Sequence, residues 1–143
     1  MAGDVAINGL KAVTAPGHGL LVPAIIGDAG EHATRRFLEF FAATIRNRNT
    51  RLAYYRAVTR FLAWCEHHRL GQLADLEPLN IAAYIEALGH DYEKPSVKQH
   101  LAAIRMLFGW LASGGILATN PAAPVREPKH VVKRGKTPVL TAD

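Results

Sequence analysis

Four stretches of this chain carry apolar side chains at helical spacing, and residues that stop a helix bound each of them. Thr34, Phe37, Leu38, Phe41 and Ile45 fall at i, i+3, i+4, i+7 and i+11, one stripe along a helix that starts at Glu31. The polar turn Arg46-Asn47-Arg48-Asn49 ends it. A second helix starts near Thr50, where the side-chain oxygen of Asn49 or Thr50 can cap the first free amides. Its buried stripe is Tyr54, Val58, Phe61, Leu62 and Cys65, and it ends near His68-Arg69, with Gly71 as terminator. A shorter helix is predicted from Pro78 to Leu88, started by Asp75 or Glu77 and closed by Gly89. Ile81, Tyr84, Ile85 and Leu88 line its inner side. The fourth opens at Pro95-Ser96 and ends at Ser113-Gly114-Gly115, with Val97, Leu101, Ile104, Leu107, Phe108 and Leu111 as its stripe. No alternating strand pattern of useful length appears. The predicted fold is therefore all-α, a four-helix antiparallel bundle in which each helix buries one face.

The flanks read differently. Residues 1–30 are rich in Gly, Ala, Val and Pro, with Pro16, Gly17, Gly19, Pro23 and Gly27 breaking any period, and are expected to form a flexible leader. The helical domain is expected over 31–122. Residues 123–143, with Pro124, Pro128 and Pro138, are expected to be an extended basic tail.

At 143 residues the chain suffices for one domain with a modest core. A lone cysteine, Cys65, rules out an internal disulfide framework and fits a reducing, cytoplasmic setting. The longest apolar runs are too short to span a bilayer, so no membrane partner is expected. The net charge of +5 is uneven: residues 1–46 hold four basic and four acidic side chains, 47–122 eight and six, and 123–143 five and two. A basic excess of this kind favours a polyanionic partner.

The second and fourth helices carry the candidate contacts. Arg56 and Arg60 stand one turn apart, with Arg48 and Arg51 leading in. Lys98, Gln99, Ala102 and Arg105 share a face of the fourth helix, opposite its apolar stripe. Arginine and lysine neutralise phosphates and release counterions, glutamine can bond base edges, and a small residue such as Ala102 permits close approach to a groove. An isolated surface arginine is ordinarily a solvated residue. Two such faces in one small domain, expected side by side and turned towards one duplex, point instead to a grip on a nucleic-acid backbone.

Residues 34–128 resemble the core-binding (SAM-like) domain of the tyrosine recombinases, the phage-integrase and Xer-like family. The resemblance rests on the order of Asn49-Thr50, Tyr54, Phe61 and Trp64, then Leu76 with the Ile81–Leu88 helix. It continues through Ser96, Leu101, Ile104-Arg105 and Phe108 to Gly115-Ile116-Leu117, Asn120-Pro121-Ala122 and Glu127-Pro128-Lys129. It implies that Thr50, Arg51, Arg56, Lys98, Gln99 and Arg105 lie on or near the DNA side, with Arg48, Arg60 and Ser96 beside them. It also implies that Lys129 to Lys136, including Lys133 and Arg134, is an inter-domain linker close to the phosphates. The implied partner is a double-stranded recombination half-site, shared with other protomers.

In that family a tyrosine attacks a DNA phosphate without a metal or cofactor, in a second domain that this chain is expected to lack. No enzymatic activity of its own is therefore expected. His32-Ala33-Thr34-Arg35 imitates a His-x-x-Arg element but precedes the core-binding pattern, so it is read as coincidence. Cys65, His67, His68 and His90 lack metal-ligand spacing, and no phosphate loop or nucleophile elbow is visible. His100, at the flank of an apolar face, fits core or contact equally. The rival function is a helical interaction module whose basic faces meet an acidic protein.

Overall fold

The computed structural model describes residues 21–127 and, before them, the backbone of two short strands. These strands, β1 (Ala6–Ile7) and β2 (Leu10–Lys11), pair antiparallel in the order β1-β2-β3 with β3 (Val22–Pro23). Two residues each, they are too short to leave an alternating pattern in the sequence. The rest is helical: α1 (Ala24–Gly27), α2 (Glu31–Glu39, widening into a π turn over Phe40–Thr44), α3 (Arg48–His67), α4 (Pro78–Leu88) and α5 (Lys94–Ser113). The all-α reading holds, with a one-turn helix added in front.

Each long helix begins and ends for a local reason. α2 starts at Gly30, whose φ of 116° suits a residue without Cβ, and Glu31 favours its positive end. An ordinary α-helix sets neighbours 100° apart; the wider turn at Phe40–Thr44 lets Phe40 and Phe41 both face inward. α3 begins two residues before the expected Thr50. Asn47 takes an extended conformation, and its Oδ1 accepts from the Thr50 amide at 3.0 Å, so Asn47 is the cap and not Asn49 or Thr50. α3 ends at His67 with His68 as its cap, close to the expected end, and Arg69 rather than Gly71 is the residue that terminates it. Arg69 adopts φ 65°, and the Leu70 amide donates back to Cys65 O at 2.8 Å, closing the last turn in the Schellman manner. α4 has the expected bounds: Glu77 and Asn80 form a reciprocal capping box, and Pro78 sits where no amide is needed.

The four predicted stripes converge on one core. Phe37, Phe40, Phe41, Phe61 and Phe108 are its largest fully buried side chains. Phe61 links three helices, its ring centroid 4.9 Å from Tyr84 of α4 and 5.9 Å from Phe108 of α5. No charged side chain is buried among the described residues. Cys65 is fully covered and its thiol is pushed up to about 12 by that burial, so it is a small core residue and no nucleophile.

The packed body is wider than 31–122. Val22, Ile25 and Ile26 are buried in the core, and the Tyr55 hydroxyl donates to Leu21 O. At the other end Ala122 and Val125 are buried as well. Residues 22–26 therefore pack on the helical core; enough apolar surface lies among the Gly and Pro breaks to seat one helical turn.

A second connection closes the far end of α5. The Arg36 guanidinium lies 3.6 Å from the Trp110 ring centroid, donates to Trp110 O and Ser113 Oγ, and Trp110 Nε1 donates to Arg36 O at 2.8 Å. His32 Nε2 stands 3.0 Å from Gly114 O. Of the His32–Arg35 imitation, His32 thus belongs to a helix-end clasp, whose arginine is Arg36 and not Arg35.

Candidate nucleic-acid interface

Arg56 and Arg60 lie on the side of α3 away from Val58, Phe61, Leu62 and Cys65, and both are exposed. The ridge they form reaches α5 through aromatic side chains. Arg60 stands 5.0 Å from the Tyr92 ring centroid and 3.7 Å from Asp91 Oδ2. The Tyr92 ring in turn lies 5.2 Å from the His100 ring, tilted by 30°. Ser96, Gln99 and His100 fall at i, i+3 and i+4 on α5, so Ser96 and Gln99 lie on the same flank of that helix as His100. Gln99 is exposed and Ser96 partly so.

Lys98 and Arg105 occupy the other flank, where the chain leaving α5 packs back. Arg105 donates from Nε to Ala122 O at 3.3 Å and from Nη2 to Val125 O. Asn120 Nδ2 donates to Arg105 O at 3.1 Å, and its Oδ1 accepts from the Ala122 amide. Glu127 lies 3.8 Å from Lys98 Nζ and 3.7 Å from Arg105 Nη1. Arg105 therefore uses its donors inside its own domain. So does Arg51, half-buried, whose Nε and Nη2 donate to Ile45 O at 3.2 and 3.0 Å and whose Nη2 also reaches Arg46 O. Those bonds satisfy carbonyls where α2 ends.

At the start of α3, Arg48 and Thr50 are exposed. At α5 the N-cap Glu93 offsets Lys94, but α3 has no acid in its first turn, where Arg48 and Arg51 stand. A cation there opposes the helix dipole, and an anion from outside relieves it. Lys133, Arg134 and Lys136 lie outside the described residues.

His100 is half-buried, and its Nδ1 is buried without a partner. Burial, with the Arg60 charge assisting, holds its pKa below the ordinary 6.5. The folded domain thus keeps His100 neutral where the unfolded chain protonates it. Stability is complete above about pH 6.5 and falls as acidification proceeds through the lowered folded-state value. Urea midpoints measured from neutral into mildly acidic buffer should fall, and His100→Gln should flatten that dependence. An undiminished acid slope in the variant would assign it to other groups.

Between α3 and α4, Arg60, Trp64, His67, Tyr84 and Asp91 line a groove of about 300 Å³. The Tyr84 hydroxyl is buried beneath it, has no hydrogen-bond partner, and is held well above the ordinary tyrosine range by burial, against the lowering pull of Arg60. The sequence gives no signal for Tyr92 or Glu127. One sits in a short loop and the other beyond the last helix, where no period marks which face they cover.

The family described as phage integrase, N-terminal SAM-like domain, matches residues 34–115. A tyrosine recombinase XerC from Xylella fastidiosa is 30% identical over 92 residues, covering 64% of this chain and 31% of the relative. A XerC from Xanthomonas campestris is 28% identical over 127 residues, covering 85% and 39%. One from Pseudomonas putida is 29% identical over 101 residues, covering 66% and 34%. The chain thus spans about a third of the length of the curated relatives it matches. No solved structure matches it. With more than half of its length covered by one family pattern, from the π-turned α2 through the end of α5, the chain belongs to the family of phage integrase N-terminal SAM-like domains.

Proposed function

We propose that this domain grips duplex DNA as the core-binding part of a tyrosine-type site-specific recombinase, occupying one recombination half-site alongside other protomers. The observation that carries the reading is the ridge Arg56–Arg60, continued through Tyr92 and His100 to the Ser96–Gln99 flank of α5. Such a ridge can follow a phosphate backbone, and the exposed Gln99 has the chemistry to bond base edges. The basic start of α3, without an acid in its first turn, adds positive potential to the same molecule.

By itself the chain positions DNA and does not cut or join it. Two of the four tyrosines, Tyr55 and Tyr84, have hydroxyls made less acidic by burial, the opposite of what an attacking tyrosinate requires. No described helix is long and apolar enough to cross a membrane. A short fluorescein-labelled duplex should bind the chain, and the double variant Arg56→Gln, Arg60→Gln should lose affinity on the order of tenfold, whatever the duplex sequence. Unchanged affinity in the double variant would favour the rival, an acidic protein partner.

A further inference from the structure

We propose that Glu127 is a built-in competitor for DNA phosphate: its one carboxylate is shared between Lys98 and Arg105 in the free domain, and a duplex backbone displaces it from Lys98. The inference rests on the DNA-binding reading above and assigns that surface a regulatory partner inside the chain itself.

The geometry separates the two cations it touches. Arg105 is tied to the exit segment by backbone carbonyls as well as by Glu127, and its side chain is only 33% exposed. Lys98 has no such tie. Its side chain is 68% exposed, and Glu127 is its one ion-pair partner among the described residues. Arg105 therefore fixes where the strap lies, and the strap holds a carboxylate over a lysine that is otherwise free to meet solvent. A carboxylate and a phosphate oxygen ask the same of an ammonium group, and Lys98 cannot serve both at full strength.

In the free domain Glu127 offsets one of the two positive charges that Lys98 and Arg105 bring to their flank of α5, so initial contact falls to the α3 ridge. On binding, the section of chain after Val125 loses one of its two ion pairs, and docking of that segment and of DNA oppose each other reciprocally. The exit direction of the polypeptide thereby becomes sensitive to whether DNA is present.

The test is a double-mutant cycle on the whole chain, read by anisotropy of a labelled duplex at low salt. Glu127→Gln removes the competing charge but leaves the Arg105 bonds to Ala122 O and Val125 O, so the fold is retained. It should bind about two- to fivefold tighter, the range expected for an exposed pair. Glu86→Gln makes the same change of net charge on the outer face of α4, and its gain should be clearly smaller. In a Lys98→Gln background the gain from Glu127→Gln should shrink. Equal gains for Glu127→Gln and Glu86→Gln, or an undiminished gain without Lys98, would overturn the competitor while leaving DNA binding intact. Failure of every chain to bind duplex would remove the DNA reading and this inference with it.

Discussion

Phe61→Ala should cost about 3–5 kcal/mol of stability, the range for emptying a buried phenylalanine site. The ring is 1% exposed and touches α3, α4 and α5 at once through Trp64, Tyr84 and Phe108. None of these neighbours can fill the space without leaving a helix of its own. Against a total of about 5–15 kcal/mol for a domain, the loss brings the variant close to unfolding at room temperature. Urea denaturation followed by tryptophan fluorescence reports it directly, since Trp64 stacks on the missing ring at 6.2 Å. Phe61→Leu, which keeps much of the volume, should cost clearly less. A loss below about 1 kcal/mol for the alanine variant would mean that the three helices are not joined at this point.

Gly114→Ala should cost about 2 kcal/mol, although alanine is ordinarily a mild replacement near a helix end. A Cβ on Gly114 would lie 2.8 Å from Arg36 Cζ and closer still to its Nε, so the guanidinium has to leave. With it go the stacking over Trp110 and the bonds to Trp110 O and Ser113 Oγ. The clasp between α2 and the end of α5 opens as a unit. The effect should therefore be strongly non-additive with Arg36→Met: once Arg36 is removed, Gly114→Ala should be nearly neutral. Full additivity in that cycle would show that the glycine is needed for its own backbone and not for the clasp.

The sequence exposes those parts of this fold that repeat at helical period. α4 could be read to its end residues because Glu77, Pro78 and Gly89 each do one thing there. The start of α3 could not, because Asn47, Asn49 and Thr50 are all competent caps and only tertiary placement selects Asn47. Val22, Ile25 and Ile26 fit no pattern, since a two-residue strand and a single helical turn are shorter than any period. The Arg36–Trp110 clasp joins residues 74 apart in sequence, and nothing local announces it.

The candidate site was legible to the same depth. Helical phase places Arg56 and Arg60 on an outer face, and they stand there. It places Arg51 and Arg105 no less plausibly, yet both are held by backbone carbonyls, because phase does not say where the neighbouring chain ends will pack. For the same reason the expected pair of ridges is not symmetric: His100 reaches the α3 ridge through Tyr92, while Lys98 faces Glu127.

The central claim, that the outer face of α3 holds phosphates, is tested most directly by measuring duplex affinity as a function of salt. Log K should fall linearly with log salt, and Arg56→Gln, Arg60→Gln should make the slope shallower by about two, near 0.9 for each phosphate that is no longer neutralised. A double variant whose slope and affinity match those of the unaltered chain would contradict the account.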